Sequence, residues 1–100
     1  VTDSINGTVV KLSKPVQALT ERIGSVTLRE PTGGDLTEAG YPTKFDDKGK
    51  TEIDARAMTK LIARLAGVPE TTVRDMAARD WNTCALTVAG FLGTGAAASD

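Results

Sequence analysis

Few side chains in this 100-residue sequence are equipped for chemistry. There is no His, so the commonest general base and metal ligand is missing, and the one cysteine, Cys84, has no neighbour in sequence to hold it as a thiolate. Cys84 falls instead on a three- and four-residue apolar repeat, which predicts a buried thiol. The Asp46-Asp47 pair is of the right type for acid–base or metal chemistry, yet Lys44, Lys48 and Lys50 share its stretch and point to solvated charges. Gly33-Gly34 lacks the spacing and the lysine of a phosphate loop and reads as a turn. No catalytic, cofactor-binding or metal-ligating residue is expected, and the sequence reads as that of a protein without enzymatic activity.

Residues 59–76, TKLIARLAGVPETTVRDM, have the pattern of a helix-turn-helix. Ala63, Gly67 and Val73 stand where that motif takes a small residue, a turn glycine and a buried β-branched residue. The second helix is poorly charged for DNA, because Glu70, Asp75 and Asp80 oppose only Arg74 and Arg79. A small DNA-binding regulator is therefore the alternative reading, and nucleic acid is not the expected partner.

Composition bounds the rest. With 25% charged residues, a net charge of −1 and 40% hydrophobic residues, the chain reads as one small ordinary domain, neither polycation nor polyanion. A lone cysteine suits a reducing cytoplasm, and no basic-then-apolar leader opens the sequence. Apolar runs such as 85–92 fall short of the ~20 residues needed to span a bilayer, so no membrane contact is expected.

The elements that must position these residues follow from periodicity. Residues 1–8 read as a flexible arm and 94–100 as a flexible tail, with a single domain over 9–93. VVKLSKPVQ and IGSVTLRE alternate as two strands close enough for an antiparallel hairpin, with Pro15 marking an edge or strand end. Pro31 stops the second strand; Thr32, three residues before Asp35, then caps a short helix. Residues 41–50 read as a long solvated loop. Ile53, Ala57, Met58, Leu61, Ile62 and Leu65 recur at helical spacing, Gly67 closes that helix, and Pro69 opens a short one holding Val73 and Met76. Asp80 is expected to cap the last helix, whose apolar stripe includes Trp81, Cys84, Val88 and Phe91. The fold class is α+β: an N-terminal antiparallel β-hairpin followed by three to four packed α-helices, with flexible termini.

On the last helix, Leu86, Ala89 and Gly90 face away from that stripe and form a smooth strip where a partner helix, or a second copy of the chain, can approach. Arg29, Glu30, Pro31 and Asp35 are expected to be structural, with Arg29 pairing a nearby carboxylate to fix the turn. Trp81 and Phe91 are read as core residues, two of only four aromatics.

An ordered series of motifs resembles the tail assembly chaperones of contractile-tailed, Mu- and P2-like bacteriophages. It consists of Leu12 with Pro15-Val16, the junction VTLREPTGGDL from Val26 to Leu36, the IARLAGVP corner, the helix start at Asp80, and Val88-Ala89-Gly90-Phe91-Leu92. The resemblance covers roughly residues 10–93, and its most specific piece is Leu28-Arg29-Glu30-Pro31 with Asp35-Leu36. It implies a non-enzymatic chaperone that binds the phage tape measure protein and keeps it soluble while the tail is built. The tail-tube protein and a frameshifted longer form of the chain are further partners it implies. It also implies a place in the host bacterial cytoplasm and absence from the mature virion; a structural tail component retained in the particle is a further alternative.

Overall fold

The structure, a computed structural model, describes residues 7–93. The arm expected over 1–8 and the tail expected over 94–100 lie outside the described residues, except for Gly7 and Thr8, which begin the first strand.

Strand β1 (Gly7–Ala18) pairs antiparallel with β2 (Glu21–Arg29). Val10 stands opposite Val26, and Thr8 opposite Leu28, so alternation brings Val10, Val26 and Leu28 to the buried face. The ladder breaks between Lys11 and Val16, which pair with Ser25 and Ile23: β1 takes five steps where β2 takes two. Pro15, expected to mark an edge or strand end, sits inside this bulge of an edge strand, where its missing N–H interrupts no ladder bond. The strand resumes beyond it with Val16 and Ala18 buried.

Helix α1 (Gly33–Ala39) starts on a capping box in which Thr32 Oγ1 accepts the Asp35 N–H and the Asp35 carboxylate accepts the Thr32 N–H. Gly33 and Gly34, expected as a turn, are its first two residues. The expected loop over 41–50 is a small hairpin, β3 (Thr43–Phe45) with β4 (Thr51–Ile53). Asp46 closes its turn by accepting the Lys48 and Lys50 N–H groups at 2.8 Å, and Gly49 supplies the positive φ of 83°. Turn-forming residues thus order this stretch without a buried core.

Ile53, expected in the following helix, belongs to β4 and is exposed. Helix α2 (Ala55–Ala66) begins two residues later, after the Asp54 cap, and ends at Gly67 in the left-handed conformation. Helix α3 (Glu70–Arg74) follows Pro69, and α4 (Ala78–Phe91) closes the domain. The central element is α2, in contact with β2, α1, α3 and α4. Leu28, Met58, Leu61, Ile62, Val73, Cys84 and Val88 are fully buried around it. Trp81 and Phe91 are only half-buried at the rim, because the interior beneath α4 is filled by Cys84, Ala85 and Val88.

Candidate functional site

Two buried carboxylates organise the molecule. Asp35 accepts from Arg29 Nη1 and Nη2 at 2.7 and 2.9 Å, from Arg64 Nε at 3.1 Å, and from the Thr32 N–H at 2.9 Å. The Arg29 fork and the Thr32 amide together hold this carboxyl well below the usual carboxylate range, against a burial that would raise it. The Arg29 guanidinium is raised by the same hydrogen bond. β2, α1 and α2 are joined through this one side chain; the sequence pointed to Arg29 pairing a nearby carboxylate, and the tie to α2 through Arg64 had no signal there. Glu30 and Pro31 serve as linkers, Glu30 exposed and Pro31 half-buried.

Asp80 differs from expectation. The cap of α4 is Ala77, with no side-chain hydrogen bond, and Asp80 is the third residue of the helix. Its carboxylate leaves the helix and enters the β1 bulge, accepting the Ser13 N–H at 2.9 Å on both oxygens, Ser13 Oγ at 3.1 Å and the Lys14 N–H at 3.3 Å. The Ser13 amide is the main reason its carboxyl lies below the ordinary value. Thr72 Oγ1 does similar work from α3, donating to the Gln17 carbonyl at 2.8 Å. Two amides and one carbonyl of β1 thereby find side-chain partners. The signal available in sequence was an acid on the buried side of a helix; its partner lies 67 residues away. Both carboxylates are saturated by donors, so the geometry suits them to holding elements in place.

Cys84 is fully buried, and burial pushes its thiol up to about 11, with the Asp80 charge adding to the effect. Among the described residues no group of three or more His, Cys, Asp or Glu side chains is placed to hold a metal ion. Ala63 and Val73 are buried and Gly67 is left-handed, so the helical corner forms as its pattern implies. Its second helix has five residues, about 7.5 Å of length at 1.5 Å per residue, little to lay in a DNA groove.

Two places on the described surface bear on partner binding. On the outer side of α4, Leu86 is 69% exposed, Ala89 half-buried and Gly90 exposed, with open space where a Gly90 side chain would stand. The second place, which sequence reading missed, is a furrow between α2, α3 and the start of α4. One half, of about 420 Å³, is bordered by Arg56, Lys60, Arg74 and Glu70. The other, of about 410 Å³, is bordered by Val73, Met76 and Trp81. Ala55, Thr59 and Arg74 line both. Trp81 is fixed at the furrow wall by its Nε1–H, which donates to Thr59 Oγ1 at 3.0 Å.

The family model described as phage tail assembly chaperone proteins, E, or 41 or 14, matches residues 9–93. The chain belongs to this family. The match takes in every element of the tail assembly chaperone described above except the first two residues of β1. Comparison with curated proteins and with solved structures returns no significant match. No helix among the chaperone's described residues is long and apolar enough to cross a membrane.

Proposed function

We propose that this tail assembly chaperone binds the tape measure protein of its phage and keeps it soluble in the host cytoplasm until the tail tube forms around it. The role is one of binding without catalysis, and the chaperone leaves before the virion is complete. The family match over 9–93 carries this reading. The physical character of the surface supports it: exposed Val9, Leu19, Phe45 and Leu86 offer apolar contact to a long partner with exposed helices. The tail-tube protein and a longer frameshifted form of the chain are the next partners to test.

Co-expression with the tape measure protein of the same phage, followed by size-exclusion chromatography with light scattering, tests the proposal. Co-elution and rescue of tape measure solubility are expected. A tape measure protein that aggregates equally with and without the chain refutes it, and finding the chain in purified virions refutes its departure.

A further inference from the structure

The furrow between α2, α3 and α4 has two chemistries side by side. Arg56, Lys60 and Arg74 are exposed at its basic half, and none of them is ion-paired; the ion pairs among the described residues use Arg29, Arg64 and Lys44. A single carboxylate, Glu70, borders the same half. This is a local excess of positive charge on a chain whose net charge is −1. The adjoining half lies over wholly covered Val73, reaches the slightly exposed Met76 and is walled by half-buried Trp81. Three cations without ion pairs, set against one carboxylate and beside an apolar recess, are complementary to a segment that carries carboxylates next to a large apolar side chain.

We propose that this furrow is where the chaperone holds its protein partner, and that the docking segment is an acidic amphipathic one. Its apolar side chain packs beside Trp81, and its carboxylates meet Arg56, Lys60 and Arg74. The inference rests on the chaperone reading and adds to it the surface and the chemistry of the partner segment. A polypeptide fits better than nucleic acid, since half the furrow is apolar, whereas a phosphate backbone calls for a continuous basic track. The outer strip of α4 presents one large apolar side chain, Leu86, and no charge, so it has little with which to select a segment.

The test uses the full chain and overlapping synthetic peptides that span the tape measure protein of the same phage. Binding is followed by peptide anisotropy and by the emission of Trp81, the chain's single tryptophan. Peptides that bind are expected to combine Asp or Glu with Leu, Ile or Phe, to shift the Trp81 emission, and to weaken at high salt. The double variant Lys60→Glu with Arg74→Glu is expected to weaken binding about tenfold or more, whereas Leu86→Lys leaves it unchanged. Both furrow substitutions replace exposed side chains without ion partners, and an unchanged melting curve confirms the fold. Lys60→Ala with Arg74→Ala gives a smaller loss in the same direction.

Wild-type affinity in the double variant overturns the furrow while leaving the chaperone reading intact, as does loss of binding in Leu86→Lys alone. Peptides that bind without acidic residues overturn the proposed chemistry, and salt-sensitive duplex DNA binding that depends on Lys60 and Arg74 reassigns the furrow to nucleic acid. A wild-type chain that binds neither the peptides nor the intact tape measure protein overturns both readings.

Discussion

Replacing Asp35 with Asn removes a charge from a side chain that is 3% exposed and leaves two guanidiniums, 44% and 43% exposed, without their partner. Breaking a fully buried ion pair costs about 3–5 kcal/mol, and breaking a surface pair about 0.2–1 kcal/mol. Here the acid is buried and both arginines reach water, so a loss of about 2 kcal/mol is expected for Asp35→Asn. Asn still offers an oxygen to the Thr32 amide. Asp35→Ala removes that acceptor too and costs about 1 kcal/mol more, the usual worth of a helix cap.

The pH dependence is sharper. The folded state holds the Asp35 carboxyl below its ordinary range, so the unfolded chain takes up the proton more readily and stability falls as pH drops. The contribution is complete above the ordinary value of about 4 and shrinks below it by up to about 1.4 kcal/mol per pH unit. It vanishes only below the folded value. Asp54 and Asp80, also held low, titrate in both proteins and cancel in the comparison. Urea unfolding of wild type and Asp35→Asn should therefore show a gap that narrows by about 1 kcal/mol between pH ~5 and pH ~3. A constant gap over that range refutes the assignment of Asp35 as the ionised hub.

Asp80→Asn should loosen the β1 bulge from α4, so the Ser13 and Lys14 amides lose protection in hydrogen exchange while Val10 and Val26 keep theirs; unchanged protection would count against the clasp. Trp81→Phe should cost about 1 kcal/mol through loss of the bond to Thr59, measured by thermal or urea unfolding, with a cost above ~3 kcal/mol contradicting a rim position. Cys84 should react with a thiol reagent at pH ~8 only as fast as the domain opens, and at full rate in denaturant; a rapid native reaction would mean the thiol is not buried.

What the sequence made legible is what local rules govern. The 3.6-residue repeat of Met58, Leu61, Ile62 and Leu65 located α2, Gly67 marked its end, and Thr32 with Asp35 marked the start of α1. Arg29 was readable as the turn's cation because a carboxylate lay six residues away. The hairpin β3–β4 escaped because strands of three residues with exposed side chains have no burial pattern to show. Ile53 fell on the helical period by coincidence, one turn before Ala57. Asp80 was misread because an acid near a helix start has a local explanation, and its distant partners had no signal of their own. The furrow was invisible for the same reason. Arg56 and Lys60 are one turn apart, but only the fold sets Arg74 and Trp81 beside them.

The clasp between Asp80 and the bulge has a consequence for the order in which this protein is made. When a ribosome has delivered β1 and β2, the amides of Ser13 and Lys14 have no acceptor, and none arrives until α4 has been synthesised. Until then the bulge stays open to other strands. A chain broken off between β2 and Asp80 would thus leave the bulge uncovered, open to aggregation or proteolysis.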